Sequence, residues 1–299
     1  MTSSTDNKCK QHPQTRSNIF DLYTAMFMGN EEAILEILEC NPHLDLRTRV
    51  GGATVLSLSL YSNNMHHLRM ILKHGGARVD VNQLSVDAKK RVEPPIVTAC
   101  RLCNVTAVQL LLDHSSHLDL EACDNFRHNA LWWCVRQRHL QLVKLLISHG
   151  ASTDPSPLWS SAPVHIAVTQ SRRRTLIAKH LLLHGASTHH TKTGQSMVVL
   201  ALQQQNADLA LFLLNIGCQL KSEEDFNICF KICATSDDDT HKSVLDLMTN
   251  AASLKQQCRL QVRRAVSQHC QGVHFVQHLL GLPLPKLLLD YISFGLLAT

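Results

Sequence analysis

Hydrophobic residues recur along the chain in a helical pattern that polar stretches interrupt at regular intervals. In "APVHIAVTQSRRRTLIAKHLLLHGAS", residues 162–187, a proline opens one apolar segment, polar residues follow, and a leucine-rich segment ends at His-Gly-Ala. The segment "NALWWCVRQRHLQLVKLLISHGAS", residues 129–152, has the same order of features. Apolar stretches of this length and period favour helices. Each segment therefore predicts a pair of short helices.

The same order of features repeats over most of the chain. With Pro163 as the anchor position, the equivalent residues are Asp21, Val55, Pro95, Ala130 and Ser196, at spacings of 34, 40, 35, 33 and 33 residues. Proline is favourable in a first helical turn, and Gly150 and Gly185 can adopt the left-handed conformation that ends a helix. Because one helix pair cannot bury its own apolar face, we expect six pairs to stack.

This array resembles the ankyrin-repeat family over residues 18–221, most closely in the fourth and fifth repeats. The resemblance implies an all-α solenoid of helix pairs with finger loops, in which several repeats are degenerate. The long loop around "DVNQLSVDAKKRVE" is expected to form an enlarged finger. Residues 222–250, with Ser222 and Asp225 as a helix-starting pair, are interpreted as a degenerate repeat or a connector. Residues 1–17 are interpreted as disordered.

The C-terminal stretch "LPLPKLLLDYI", residues 282–292, is apolar enough to suggest a membrane anchor. A spanning helix needs about 20 predominantly apolar residues, however, and polar residues and two prolines interrupt the window from Val273 to Leu297. We therefore expect no membrane insertion. Residues 1–17 lack the apolar core of a secretory signal. A cytoplasmic location is expected, with the nucleus as an alternative.

Composition excludes some classes of function. The eleven cysteines are scattered through apolar segments, which favours reduced core thiols over a disulfide framework. The formal net charge of +5 is too small to imply nucleic acid as a partner. Aromatic residues make up 5% of the chain, so few side chains could form a base-stacking surface.

One group of residues approaches a zinc-finger pattern. Cys100, Cys103, His114 and His117 give C-x2-C-x10-H-x2-H, in which both the central and the final interval are shorter than usual. In the ankyrin register, Cys100 falls on the small-residue position of a first helix. Buried core thiols are therefore favoured over a metal site.

The histidines also suggest structural positions. His74, His149 and His184 each precede a repeat-ending glycine, and His165 occupies the position of the structural histidine of the ankyrin family. The sequence contains no nucleophile motif, phosphate-binding glycine loop or paired carboxylate site. We therefore predict no active site and no cofactor.

A second apolar pattern precedes the proline segment. In "SLKQQCRLQVRRAV", Leu254, Cys258, Val262 and Ala265 recur at helical spacing. They predict one apolar stripe on a helix, with Arg259, Arg263 and Arg264 turned away from it. Such a small helical tail cannot form an independent core. It must therefore pack on the last repeat or on partner proteins.

The two tail segments together, at the end of an ankyrin array, resemble a SOCS box over residues 251–299, and the whole chain resembles the ankyrin repeat and SOCS box proteins. The resemblance implies a helix that binds elongin C through Leu254, Cys258 and Val262. It also implies a segment that binds a cullin, with cullin-5 favoured over cullin-2. The residues implied in cullin binding are Leu282, Pro283, Leu284, Pro285 and Tyr291.

The function implied is that of a non-catalytic substrate receptor of an elongin–cullin–RING ubiquitin ligase. Its partners would be elongin B, elongin C, cullin-5 with its RING subunit, and a target protein that the sequence does not identify. One alternative is an ankyrin scaffold whose tail caps its own solenoid. Another is a metal- or nucleic-acid-binding regulator.

Target binding is expected on the concave face of the repeats, at two positions of each first helix. These are Phe27 and Met28, Tyr61 and Ser62, Arg101 and Leu102, Arg136 and Gln137, Thr169 and Gln170, and Leu202 and Gln203. Exposed aromatic and arginine side chains, with Lys89 and Lys90 of the finger above them, have the composition of a binding hot spot. An acidic target with an apolar anchor would match unpaired cations there. Alternatively, Phe27 covers the end of the core and the arginines are solvated.

Overall fold

The computed structural model describes residues 18–114, 117–154, 162–169, 174–188, 194–220, 222–236, 238–249, 254–270 and 272–294. The segment predicted to be disordered, 1–17, lies outside these residues. The chain divides into two compact units, one ending at Phe126 and the other beginning at Arg127. Within the described part of the chain, no helix has both the length and the apolar character needed to cross a membrane.

The first unit consists of helix pairs and a hairpin. Its elements are α1 (Ile19–Met28), α2 (Glu31–Cys40), α3 (Val55–Tyr61), α4 (Met65–Gly75), β1 (Ser85–Val86), β2 (Val92–Glu93), α5 (Pro95–Arg101) and α6 (Val105–His114). The two helices of each pair contact one another, and neighbouring pairs are joined by α2 with α4, α3 with α5 and α4 with α6. Leu22, Leu38, Leu56 and Ile96 are buried between them. The apolar side of each helix thus faces the next pair.

The loop between the second and third pairs is the enlarged finger that the sequence predicted. Its strands β1 and β2 are antiparallel, and Lys90 lies in the turn between them with a φ of 58°. Backbone hydrogen bonds join the finger to its neighbours, since the amide of Val86 donates to Gly52 O at 2.9 Å and the amide of Asn125 donates to Val92 O at 2.9 Å. The finger is therefore held on both sides.

The second unit continues the helix pairs and ends in a helical tail. Its elements are α7 (Ala130–Arg136), α8 (Leu140–Ser148), α9 (Pro163–Thr169), α10 (Thr175–Leu183), α11 (Met197–Gln203), α12 (Ala207–Asn215), α13 (Glu223–Ala234), α14 (Asp239–Thr249), α15 (Leu254–Cys270), α16 (Phe275–Leu280) and α17 (Lys286–Ile292). α13 packs on α11 and α14 on α12, so residues 223–249 form a helix pair stacked on the one before. The Ser222 side chain accepts the amide of Asp225, which confirms the predicted helix start.

A common turn joins the two helices of most pairs. Its central residue has a positive φ, between 53° and 70°, at Gly29, Asn63, Cys103, Arg138 and Gln205. The next residue caps the second helix by accepting the amide three positions on; these caps are Asn30, Asn64, Asn104, His139 and Asn206. Val55, Pro95 and Ala130 lie eight residues before this turn residue, and so does Met197. The predicted anchor Ser196 is therefore wrong by one position.

The repeat-ending glycines adopt the conformation that was predicted for them. The φ angles of Gly150 and Gly185 are 92° and 94°, and Gly217 after α12 has a φ of 90°. A side chain is strained in this region of φ, whereas glycine enters it freely. These three turns lie on the side of the second unit that contacts the tail.

Candidate docking site on the C-terminal helices

α15 has an inner face that packs on the repeats and an outer face that is open. A helix turns about 100° per residue, which puts Arg259, Arg263 and Ser267 on one side and Cys258 and Ala265 on the other. The first three contact other parts of the second unit, and the last two are exposed. The tail is therefore neither a free arm nor a fully buried cap.

Arg263 attaches α15 to two helix ends. Its side chain is 7% exposed, and Nη2 donates to Leu183 O at 3.0 Å and Leu182 O at 3.3 Å, at the end of α10. Nη1 donates to Ile292 O at 3.1 Å, at the end of α17. Carbonyls at helix C-termini lack intrahelical donors and carry partial negative charge, so they match a guanidinium. Arg263 is turned away from Cys258 and Ala265, as predicted, but it faces the end of α10 and α17 rather than solvent.

Arg263 keeps its charge at neutral pH despite this burial. Desolvation, and secondarily the positive charge of Arg259, lower the pKa of Arg263 to about 10. The guanidinium carbon also lies 4.8 Å from the centroid of the Phe275 ring. Its charge is therefore stabilised by carbonyl dipoles and by an aromatic face.

Arg259 joins α15 to the end of the chain that the structure describes. Its guanidinium carbon lies 3.6 Å from the centroid of the Tyr291 ring and 4.2 Å from that of Phe294. Burial lowers the pKa of Arg259, and Tyr291 opposes this shift. Tyr291, which the resemblance implies in cullin binding, is thus half-buried under an arginine.

The three tail helices enclose a small apolar core. Its buried members are Phe275, Leu279 and Ile292. Val262, Leu282 and Leu284 pack against them and are partly buried. These three side chains, predicted as partner contacts, therefore contribute to the tail's own packing.

Three repeat-ending glycines provide contact sites for the tail. The contacts are Gly150 with His274, Gly185 with Phe275, and Gly217 with Leu260. A Cβ atom at Gly185 would lie 2.6 Å from Phe275 Cγ, closer than real Cβ contacts. The Ser267 hydroxyl also donates to Gly185 O at 2.8 Å. Each glycine is therefore required both for its φ and for the space that its missing side chain leaves.

The outer face of α15 retains part of the predicted elongin site. Cys258 is exposed and its thiol is free, and Ala265 is also exposed. Leu254 begins the helix, and its side chain lies outside the described residues. Each four-residue step advances about 400°, so Val262 drifts about 40° from Cys258 toward the inner face. The predicted single stripe is therefore divided between two faces.

The proline segment alternates between buried and exposed side chains. Leu282 and Leu284 are partly buried, whereas Pro283 and Pro285 are exposed. α17 follows directly and exposes Leu287 to 83% and Leu288 to 45%. We call Pro283, Pro285, Leu287 and Leu288 the proline–leucine surface. Sequence reasoning missed the two leucines, although three consecutive leucines in a seven-residue helix cannot all face one small core.

In the first unit, two predicted target-binding residues, Arg101 and Tyr61, are not available as the sequence predicted. Arg101 Nη2 donates to Glu93 Oε1 at 2.6 Å and Arg101 Nε donates to Glu93 Oε2 at 3.0 Å, and Glu93 is fully buried. Tyr61 is half-buried, and burial raises the pKa of its hydroxyl. The predictions of an unpaired Arg101 and an exposed Tyr61 are wrong, because the finger brings Glu93 next to the end of α5.

Other predicted target-binding residues of this unit are open. Phe27 is 84% exposed, so it does not cover the end of the core. Lys89 and Lys90 are exposed at the finger tip, and neither has an ion-pair partner in the part of the chain that the structure describes. Arg91 Nε donates to Asp87 Oδ2 at 2.7 Å, which occupies the nearest carboxylate. The finger tip therefore keeps two uncompensated cations.

In the second unit, the predicted target-binding residues differ in exposure. Arg136 is exposed, and its guanidinium carbon lies 5.6 Å from the centroid of the Trp132 ring. Leu202 is 1% exposed, which contradicts its predicted place on an open face and follows from the one-residue error in the sixth anchor. Thr169 is half-buried. Gln170 lies outside the described residues.

The Cys/His group does not form a metal site. Cys100 is fully buried and Cys103 half-buried, whereas His114 and His117 are exposed. Among the residues that the structure describes, no three or more His, Cys, Asp or Glu side chains are grouped so that they could hold a metal ion. The prediction of a buried core thiol is confirmed for Cys100.

The repeat-ending histidines have the structural role that was predicted. Nδ1 of His149 lies 2.9 Å from Leu145 O, and Nδ1 of His184 lies 2.8 Å from His180 O. Because a carbonyl only accepts, each ring nitrogen must donate. These bonds satisfy carbonyls in the last turns of α8 and α10.

Family comparisons agree with both parts of this architecture. The model of ankyrin repeats in three copies matches residues 81–157, and the model of the SOCS box matches residues 250–293. Ankyrin repeat and SOCS box protein 11 of Homo sapiens, and its counterpart in Pongo abelii, are each 26% identical to this chain over 151 residues. That match covers 50% of this chain and 45% of each relative. An ankyrin repeat protein of Fowlpox virus (strain NVSL) is 29% identical over 105 residues, which are 35% of this chain and 15% of the relative.

Solved structures show the same fold. The ankyrin repeat domain of Bcl-3 aligns with a TM-score of 0.61 and 21% identity, covering 75% of this chain and 97% of that one. The ankyrin repeat domain of human ASB11 aligns with a TM-score of 0.53 and 18% identity, covering 77% and 99%. At this identity the likeness concerns the fold alone. The fold is an ankyrin-repeat solenoid followed by a SOCS box.

Proposed function

We propose that this chain, in which residues 81–157 match ankyrin repeats and residues 250–293 match the SOCS box, is a substrate-recognition subunit of an elongin–cullin–RING ubiquitin ligase. The SOCS box binds elongin C, with elongin B, and recruits cullin-5 with its RING subunit. The repeats hold the target. The chain is cytoplasmic and non-catalytic, and it brings the target close to the subunits that transfer ubiquitin.

The observation that carries this proposal is the pair of faces on α15. The inner face is occupied by contacts with the repeats and with α17. The outer face, with Cys258 and Ala265, is open along the helix. A helix face that keeps small apolar side chains such as Cys258 and Ala265 in water after the tail has packed suits a helix-in-groove partner.

The proline–leucine surface supports a second partner. Leu287 and Leu288 are large apolar side chains with exposures of 83% and 45%, next to two exposed prolines. Burying apolar area is worth roughly 25 cal/mol per Å2, so water disfavours this arrangement unless a partner covers it. Because Leu282 and Leu284 support the tail core, we assign cullin contact to the exposed residues of this segment.

Elongin binding is tested by co-expressing the chain with elongins B and C and asking whether the three co-elute. Cys258→Asp puts a charge on the open face of α15 and should abolish co-elution, a loss of more than about 2 kcal/mol. Gln268→Asp is the matched control, because it adds the same charge to an exposed position about 15 Å further along the same helix. Co-elution of Cys258→Asp at wild-type yield would contradict the assignment.

Cullin binding is tested with the ternary complex. Leu287→Asp should weaken cullin-5 recruitment and leave the elongins bound, because the side chain contacts little of the tail core. His278→Asp, at an exposed position of α16, serves as the control. Loss of elongins and cullin together would mean that Leu287 maintains the fold of the tail. Equal binding to cullin-2 would refute the preference for cullin-5.

For the target, we propose the open part of the first unit. Phe27 offers an apolar anchor and Lys89 and Lys90 offer uncompensated charge, which suits an acidic segment with one large apolar side chain. Phe27→Ala combined with Lys89→Glu and Lys90→Glu should reduce target recovery in cross-linked purifications while elongin binding persists. Phe20→Ala, a 60% exposed phenylalanine of the same helix, is the control. Unchanged recovery would move the target elsewhere.

The alternative of a scaffold whose tail caps its own solenoid has one observation in its favour. Arg263 and Phe275 do cover the end of α10 and the turn after it. That packing accounts for the inner face of α15 and leaves the outer face and the proline–leucine surface without a role. Failure of the wild-type chain to co-elute with the elongins would favour the scaffold.

A further inference from the structure

A cavity of about 390 Å3 opens where the tail meets the fourth and fifth repeats. It lies between α8, the end of α10 and the start of α16. The lining residues are Lys144, Ile147, Ser148, His180, His184, His274, Phe275, Val276 and Gln277. This volume falls within the range of small-molecule sites, about 300–1,000 Å3, and is far more than one water needs.

The lining of this cavity contains a lysine and three histidines but no acidic residue. Lys144 comes from α8, His180 and His184 from α10, and His274 from the residue before α16, and none of the lining residues is Asp or Glu. The rings of His180 and His184 are 4.1 Å apart. The positive charge of Arg263 on α15 also acts on His184, although Arg263 does not line the cavity. Three segments of the second unit thus place Lys144 and three imidazoles around one space.

The pKa values of His180 and His184 are both lowered by burial and by nearby positive charge. Burial lowers the pKa of His180 to about 4, with smaller contributions in the same direction from His184 and Lys144. Burial also lowers the pKa of His184, where the bond to His180 O opposes the shift and the charges of Arg263 and Lys144 add to it. No carboxylate contributes to either shift. At neutral pH the His180 ring is therefore a neutral N–H donor beside a lysine, whereas neutral His184 already donates its one N–H to His180 O.

The chemistry of this lining narrows the class of ligand. Within the described chain, the three imidazoles are not grouped so that they could hold one metal ion. Cations are repelled by Lys144, and a purely apolar ligand would leave the N–H groups of His180 and His274 without acceptors. An oxyanion accepts hydrogen bonds from Lys144, His180, His274 and Gln277 and supplies the missing negative charge.

We propose that the cavity lined by Lys144, His180, His184 and His274 is a binding site for a dianionic oxyanion of the phosphate class. Lys144 provides the permanent charge, and His180, His274 and Gln277 provide hydrogen-bond donors. His184 gains a second N–H, on Nε2, only when it is protonated. A bound anion links α8 and α10 of the repeats to the start of α16. Its binding therefore strengthens the attachment of the SOCS box to the ankyrin array.

Binding is coupled to protonation. A dianion next to His180 and His184 raises their pKa values, so binding takes up protons and affinity rises as the pH falls. Sulfate is the first probe, because it stays dianionic at both mildly acidic and neutral pH. Any pH dependence of its affinity must then come from titration of the protein. Titration of the whole chain with sodium sulfate, followed by histidine ring signals in NMR, should give saturable shifts that chloride at equal ionic strength does not give. Affinity at about pH 5.5 should be several-fold higher than at about pH 7.5.

Two substitutions separate a local site from a general charge effect. Lys144→Met should weaken sulfate binding by about tenfold or more, since it removes a charge-assisted contact. Lys179→Met is the control, because it removes the same charge from a side chain that lies over the Phe212 ring and does not line the cavity. The absence of saturable shifts, or an equal loss from both variants, would overturn the proposal.

The source of the anion is then distinguished with three further probes at matched ionic strength. Inorganic phosphate binding more tightly than phosphoserine indicates a free anion, and the reverse order indicates a phosphate carried on a peptide or metabolite. Both results support a phosphate-class site. Acetate binding as tightly as phosphate would overturn the assignment to a dianion.

Discussion

Replacing Arg263 with methionine removes three hydrogen bonds while retaining most of the aliphatic volume of the side chain. Two effects of opposite sign follow. The pKa of Arg263 falls from 12.5 to about 10, so at about 1.36 kcal/mol per unit burial disfavours the charged form by about 3 kcal/mol, which methionine relieves. Three bonds from a charged donor to buried carbonyls contribute about 1.5–3 kcal/mol each. The net expectation is a loss of about 2–6 kcal/mol in the stability of the docked tail.

Urea unfolding followed by hydrogen exchange and mass spectrometry measures this loss segment by segment. Exchange should accelerate in α15, α16 and α17 and at the end of α10, whereas α3 and α5 of the first unit should be unaffected. Arg264→Met is the matched control: the residue is half-buried, and no hydrogen bond from its side chain occurs within the described part of the chain. Its effect should stay below about 0.5 kcal/mol.

A stable Arg263→Met variant would refute this reasoning. If its tail exchanges as slowly as the wild type, apolar packing of Phe275 and Leu260 holds the tail, and the carbonyl contacts contribute little. Replacement of a buried charge by a hydrophobic side chain is sometimes neutral, so the outcome is informative in either direction.

Three further predictions concern the glycine contacts, the buried ion pair and the histidines. Gly185→Ala should lower the thermal midpoint more than Gly29→Ala does, because both residues have positive φ but only Gly185 is in contact with the Phe275 ring. Equal shifts would show that the Phe275 ring moves away freely. Glu93→Ala should destabilise the first unit by about 3–5 kcal/mol, because Arg101 stays buried without a carboxylate. If urea unfolding shows a loss of stability under about 1 kcal/mol, water reaches Arg101. Folding lowers the pKa of His180 from 6.5 to about 4, so between these pH values the unfolded state binds more protons and stability is lost as the pH falls, by at most about 3 kcal/mol before screening. In unfolding measured as a function of pH, His180→Gln should reduce this loss of stability. An unchanged slope would assign the titration to another group.

The repeat pattern was predictable because each repeat uses local chemistry. Proline in a first turn, glycine at positive φ and a leucine-rich second helix are each fixed by a few neighbouring residues. The recurring asparagine caps at Asn30, Asn64, Asn104 and Asn206 were an available signal that sequence reasoning did not use. They would have placed the sixth anchor at Met197.

The tail could be located from the sequence, but the orientation of its side chains could not. An arginine in an amphipathic helix ordinarily belongs to the solvent face, and the carbonyls at the ends of α10 and α17 make the inner face favourable for Arg263. Those carbonyls are 80 residues before it and 29 residues after it in the chain. Likewise, the pairing of Arg101 with Glu93 depends on the hairpin whose second strand ends at Glu93.

The glycine contacts make the tail a poor candidate for transplantation. His274, Phe275 and Leu260 lie against turns at Gly150, Gly185 and Gly217, so the tail is matched to one particular set of turns in the second unit. A chimera that moves residues 250–294 alone onto a foreign array would meet side chains of the wrong shape. A transplantable piece therefore has to include these turns together with the tail. During divergence, the three repeats that carry the glycines and the tail must change together.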